Sequence, residues 1–137
     1  MNAERKIVRV QDVMKQNFDV VDGMATVRDA IATMKHVETK CLIVNKRHDD
    51  DEYGMLLISD IGRKVLAKDR APERINVYEI MAKPVITVDP DMDIRYCARL
   101  FDRFHLSRCP VVNHDGKVVG IVSYTDLVLR GLFADIE

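Results

Sequence analysis

Ser123 and Asp126 stand three residues apart, where the apolar run Gly120-Ile-Val gives way to Tyr124-Thr-Asp-Leu-Val-Leu. An ionised carboxylate only accepts hydrogen bonds, whereas a serine hydroxyl both donates and accepts. With the free N–H groups of a helix's first turn, such a pair suits hydroxyl donors or a phosphate. The same Ser-x-x-Asp spacing also describes a capping box that closes a helix and does nothing else. Asp60 follows Gly54-Met-Leu-Leu-Ile-Ser in the corresponding place, but Leu57 replaces the hydroxyl residue and Ser59 lies adjacent. A second cluster is Lys46-Arg-His-Asp-Asp-Asp-Glu52. His48 beside those acidic residues offers hard oxygen ligands to a divalent ion. The alternative is a solvated loop that keeps a strand edge from pairing, and the spacing of a calcium loop is absent.

Other chemistries find little support. His36, His48, His105 and His114 form no catalytic set, and there is no Gly-rich phosphate loop, nucleophile elbow or paired metal motif. Cys41, Cys97 and Cys109 make no C-x-x-C pair and read as buried, reduced thiols. The net charge of −1 creates no field for a long polyanion, and with no Trp and 6% aromatic residues the chain lacks base-stacking platforms. General nucleic-acid binding is therefore unsupported. No apolar run approaches the roughly 18 residues that span a bilayer, and no signal segment opens the chain, so the cytoplasm is the expected location.

The elements that must position Asp60 and Asp126 come in two copies. Val10-Gln-Asp-Val-Met14 is answered by Val77-Tyr-Glu-Ile-Met81, and Cys41-Leu-Ile-Val-Asn45 by Cys109-Pro-Val-Val-Asn113. Gly54-Met-Leu-Leu-Ile-Ser-Asp60 is answered by Gly120-Ile-Val-Ser-Tyr-Thr-Asp126. The offset drifts from 67 (14 to 81) through 68 (41 to 109) to 66 (54 to 120), which argues for one supersecondary unit used twice. Each copy reads as strand, helix, strand, strand, helix. Strands are expected at 18–21, 41–44 and 54–58, then at 85–88, 110–112 and 118–122. Thr26 and Asp93 cap the first helices, whose apolar faces are Val27, Ala30, Ile31 and Met34, and Ile94, Cys97, Ala98, Phe101 and Phe104. Asp115-Gly116 signals a tight hairpin. The copies span residues 1–68 and 77–137, joined by a linker at 69–76.

Two such units, each ending in a Gly-led apolar run and an aspartate, resemble the cystathionine-β-synthase (CBS) domain family in its tandem form, the Bateman module. The resemblance runs from about Val10 to Leu132 and rests on Glu79-Ile-Met81, Val85-Ile-Thr-Val-Asp89, Cys109-Pro-Val-Val-Asn113 and Gly120-Ile-Val-Ser-Tyr-Thr-Asp126. It implies an α+β fold of two β-α-β-β-α repeats packed sheet to sheet with pseudo-twofold symmetry. It also implies a non-enzymatic regulatory module for an adenosine-containing ligand: AMP, ADP, ATP, NAD or S-adenosylmethionine. No obligatory cofactor or metal is implied. By resemblance, one cleft joins Ser123 and Asp126 to Asp19-Val20-Val21 and Thr39-Lys40, the other Asp60 to Val85-Ile86-Thr87 and Ser107-Arg108. The aspartate would accept from the ribose hydroxyls, and Lys40 or Arg108 would meet a phosphate. Val20 stands where the second copy has Thr87. The resemblance further implies a homodimer that signals to a separately encoded effector. Leu129, Leu132 and Phe133 are the apolar surface such a dimer would cover. An assembly module with empty clefts is the alternative.

Overall fold

A computed structural model describes residues 6–132 of the 137. Phe133 lies outside the described residues. The fold is mixed α+β with small sheets, and the chain divides into two compact units. The middle unit is Phe18–Val85; the terminal unit takes the chain up to Asn17 and again from Ile86 onward.

In the middle unit, β1 (Val20–Val21) pairs in parallel with β2 (Cys41–Val44), which pairs antiparallel with β3 (Gly54–Leu57). Every residue of β2 is buried, as its unbroken apolar run requires. Between β1 and β2 runs a helix, Val27–Thr33, and the terminal unit opens with a shorter one, Val10–Val13; in chain order these are α2 and α1. The Thr26 hydroxyl accepts from the Asp29 N–H at 3.1 Å and starts α2, burying Val27 and Ala30. Ile31, which the helical stripe includes, is instead 46% exposed. β3 leads into α3 (Ile58–Ile61), which continues in wider turns through Gly62–Leu66.

The terminal unit repeats the pattern with α4 (Ile94–Phe104), β4 (Arg108–Val112), β5 (Val118–Ser123) and α5 (Tyr124–Asp126), the last continuing through Leu127–Leu132. β4 and β5 pair antiparallel, with Arg108 opposite Ser123. Their hairpin turns on Asn113, whose side-chain oxygen accepts from the N–H groups of Asp115 and Lys117, and on Gly116 at φ 78°. The strand expected at 85–88 is not formed. Only Val88 bridges to Val111, through Val88 N–H to Pro110 O at 3.2 Å and Val112 N–H to Val88 O at 2.9 Å. In the middle unit the next rung is Ile43 N–H to Asp19 O at 2.9 Å. Its counterpart would have to be donated by Pro110, which has no N–H.

The compact units also part from the repeat boundaries. Val10 and Val13 are buried among the core residues of the second copy, Val77 and Ile80 among those of the first. The backbone after each of these lead-in segments, residues 10–14 and 77–81, pairs with its unit's last strand: Lys15 with Ile121 at 2.8 and 2.9 Å, and Ala82 with Met55 at 2.9 Å both ways. Glycine permits the approach. A Cβ on Gly120 would lie 2.6 Å from Met14 Sδ, and one on Gly54 would lie 2.8 Å from Met81 Sδ. Each lead-in thus completes the core of the copy it does not belong to by sequence.

Candidate functional site

Asp60 and Asp126 are two of the four buried polar or charged residues among those described, at 6% and 5% exposure. Each sits in the first turn of the helix that follows its unit's last strand. An apolar strand entering a helix carries the carboxylate inward, while the open first turn leaves N–H groups nearby.

The Asp126 carboxylate is densely bonded. Lys15 Nζ donates to Oδ1 at 2.8 Å and to Oδ2 at 2.7 Å, and the Ser123 hydroxyl donates to Oδ2 at 3.1 Å. Ser123 also accepts from the Asp126 N–H at 3.2 Å, so the serine caps α5 as the shorter reading of its motif requires. Arg130, one turn on, donates to Met14 O at 3.4 Å and keeps a second cation in the neighbourhood.

Asp60 is held more loosely. Its Oδ2 accepts from the Leu57 N–H at 3.1 Å, and its Oδ1 pairs with the Arg63 guanidinium, whose side chain is 68% exposed. Leu57 cannot return a bond, so the box closes from one side only. Lys64, at the position equivalent to Arg130, donates to Ile80 O at 3.2 Å, one residue before the equivalent of Met14.

The other expected site residues divide between the units. With Asp60 in the middle unit lie Val20, 48% exposed in β1, and Lys40, exposed and in a left-handed conformation at φ 58°. Val20 borders an open concavity of about 510 Å³ with Asp19, Lys35 and His36. There the Asp19 carboxylate accepts from the N–H groups of Lys35 and His36 at 2.9 and 2.8 Å. With Asp126 in the terminal unit lie Arg108, in register with Ser123, and Ile86 and Thr87, both exposed and outside any strand. Each group expected from the resemblance therefore draws on both units.

Lys15 and Arg63 are the residues that reading the sequence missed. Arg63 carries a signal, since an acid and a base three apart meet on a helix face. Lys15 carries none: it reaches Asp126 across 111 positions.

The acidic loop is anchored. Asp51 accepts from Arg47 N–H and Nε, both at 2.9 Å, and from Lys83 Nζ at 2.8 Å, with its side chain 7% exposed. The Arg47 and Lys83 donors hold its carboxyl well below the usual range. Among the described residues no cluster of His, Cys, Asp or Glu could hold a metal ion. All three cysteines are buried and free of disulfides, and burial pushes the Cys97 thiol up to about 11. No described helix is long and apolar enough to cross a membrane.

Two units of this topology, each with an aspartate at the strand-to-helix junction, define a CBS-type pair. The chain belongs to the CBS domain family, whose model matches residues 77–131. It is similar to a hexameric CBS-CP12 protein from bloom-forming cyanobacteria, with 38% identity and a TM-score of 0.87 over 93% of this chain and 70% of that one. An uncharacterized protein of Methanopyrus kandleri is 31% identical over 113 residues, 80% of this chain. The chain spans about three fifths of the length of that protein and of an uncharacterized protein of Methanocaldococcus jannaschii. The CBS domain protein of Pyrobaculum aerophilum complexed with AMP shares the fold at a TM-score of 0.78 and 20% identity, over 94% of this chain and 98% of that one.

Proposed function

We propose that this chain is a non-catalytic regulatory module that binds an adenosine-containing ligand and passes its binding state to a separate effector. The observation that supports this is the pair of buried carboxylates, Asp60 and Asp126, repeated at equivalent strand-to-helix junctions. A buried charge is costly unless something compensates it, and a fold that places one twice in the same position gives it a use beyond packing. In this reading each carboxylate accepts from a ribose, with Lys40, Arg108, Thr87, Ile86 and Val20 contributing to phosphate and base. The Pyrobaculum protein complexed with AMP is only 20% identical and shares the fold alone. Cytoplasmic residence and a homodimer are part of the same proposal. Leu129 and Leu132, 54% and 57% exposed, give a dimer apolar surface to cover. Light scattering at the monomer mass at micromolar concentration would remove the dimer.

The test of binding is a thermal-shift screen with AMP, ADP, ATP, NAD and S-adenosylmethionine, followed by calorimetry on Asp60→Ala and Asp126→Ala. A ligand at a hundred times its Kd adds about 2.7 kcal/mol of stability. Losing a charge-assisted hydrogen bond worth about 1.5–3 kcal/mol weakens binding tenfold or more. If no ligand shifts the melting curve, the second reading, an assembly module, takes its place. The observation favouring that reading is that both carboxylates already have an internal cation, Lys15 and Arg63.

A further inference from the structure

We propose that Lys15 makes the Asp126 site selective for adenine nucleotides that carry a 5′-phosphate, against neutral nucleosides and against the sulfonium of S-adenosylmethionine. This rests on the adenosyl reading and narrows it. A carboxylate has about four lone-pair positions. On Asp126 three are taken: one on Oδ1 and one on Oδ2 by Lys15, and a second on Oδ2 by the Ser123 hydroxyl. A ribose presents two adjacent hydroxyl donors and finds one position open, so one resident donor has to leave. Ser123 is 5% exposed and simultaneously accepts from the Asp126 N–H, which fixes it. Lys15 sits at the end of a flexible stem with its side chain 27% exposed, so Lys15 moves.

The displaced ammonium then needs an anion. Arg130 donates to the carbonyl of Met14, the residue before Lys15, so once the carboxylate engages the ribose this segment carries two cations without a carboxylate between them. A 5′-phosphate hangs from that same ribose and supplies the missing negative charge. A methylthio group supplies none, and S-adenosylmethionine puts a sulfonium at that place, a third positive charge, with its carboxylate four atoms further along beside an ammonium. Asp60 imposes no such demand. Its two bonds, from the Leu57 N–H and the Arg63 guanidinium, leave a position open on each oxygen, so two ribose donors fit without displacing Arg63.

The experiment isolates the terminal unit with Asp60→Asn and measures AMP, 5′-methylthioadenosine and S-adenosylmethionine by calorimetry. Expected is AMP tighter than 5′-methylthioadenosine by tenfold or more, with S-adenosylmethionine weakest. Adding Lys15→Met, which keeps the stem, should weaken AMP and strengthen 5′-methylthioadenosine so that the ratio falls at least tenfold; Lys15→Arg should restore it. A ratio unchanged by Lys15→Met overturns the proposal. So does AMP binding that is present in the unsubstituted chain and gone in Asp60→Asn, since Asp126 then takes no ribose. If the unsubstituted chain binds none of the three, the adenosyl reading itself has failed, and this inference with it.

Discussion

The middle and terminal units are the same scaffold solved twice, and they differ most where the scaffold is asked to hold a charge. Asp126 receives its cation from a lead-in 111 positions away, while Asp60 receives it from the next turn of its own helix. The position equivalent to Lys15 is Ala82, and that equivalent to Arg63 is Leu129. Neither cation is therefore repeated between the copies. Each unit meets its buried carboxylate with a cation from a different place, which puts the constraint on the charge and not on a particular contact. The consequences differ: with its local, exposed partner Asp60 keeps two acceptor positions open, whereas Lys15 together with Ser123 leaves Asp126 only one.

The cores contrast in a second way. α4 runs eleven residues and buries Phe101 completely, with its ring edge-on to Tyr124 at 5.2 Å. α2 runs seven, and the residue in the matching place, Met34, lies just past its end and is half-buried. The middle unit compensates with the fully buried Leu42, Ile43 and Leu56 of its sheet. Phe101→Ala should therefore have the largest effect of any helix substitution, about 3–5 kcal/mol by urea denaturation. Met34→Ala should cost roughly 1–2 kcal/mol, because part of its surface is already wet. Equal costs would mean that the two helices carry equal shares of their cores.

A smaller effect separates the glycines under the lead-ins. A Cβ at Gly120 lies 2.8 Å from Lys15 O, a backbone atom, as well as 2.6 Å from Met14 Sδ. At Gly54 the nearest atom is the flexible Met81 Sδ at 2.8 Å, and the Ala82 carbonyl is farther at 3.2 Å. A thioether can swing aside, but a carbonyl held in a pair of strand bonds cannot. Gly120→Ala should cost about 2–3 kcal/mol and Gly54→Ala about 1 kcal/mol. Hydrogen exchange at the Lys15 and Ala82 amides is the sharper readout. Faster exchange at Lys15 alone in Gly120→Ala would locate the damage.

These differences explain what the sequence could and could not convey. Cys41–Val44 was legible because four apolar residues in a row have to be covered on both faces, and all four are buried. Thr26 and Asp93 were legible as caps because capping depends on neighbours within one turn. The position of Asp126 was legible too, but its surroundings were not, since nothing local announces Lys15. The missing strand at 85–88 depended on Pro110 in a neighbouring strand, a non-local absence of one N–H. Periodicity reveals that a unit is repeated. It does not reveal which copy's core receives a lead-in, because Val10–Met14 and Val77–Met81 are apolar in the same positions and fit either.

The smallest predicted difference lies in the caps and is separated by pH. α2 is capped by a neutral hydroxyl, α4 by the Asp93 carboxylate, which accepts from the Arg95 N–H at 2.9 Å and pairs with its guanidinium at 2.7 Å. The Arg95 side-chain bond holds the Asp93 carboxyl at about 2, below its usual 3.8. A carboxylate whose folded value is depressed stabilises the fold above its unfolded value, and that stabilisation is lost as pH falls through the folded one. The window is therefore from about pH 4 down to about pH 2, because the unfolded chain binds the proton first. Arg95 is 47% exposed, so water screens the pair and its contribution stays below about 1 kcal/mol. Asp93→Ser keeps a capping oxygen and removes the charge. It should cost about 0.5 kcal/mol at pH 7 and nothing once the carboxyl is protonated, so the two urea curves converge on acidification. Thr26→Ala should cost about 1 kcal/mol at every pH across that window. If Asp93→Ser keeps its deficit at pH 2, α4 is held by cap geometry and not by charge, and the two helices start in the same way.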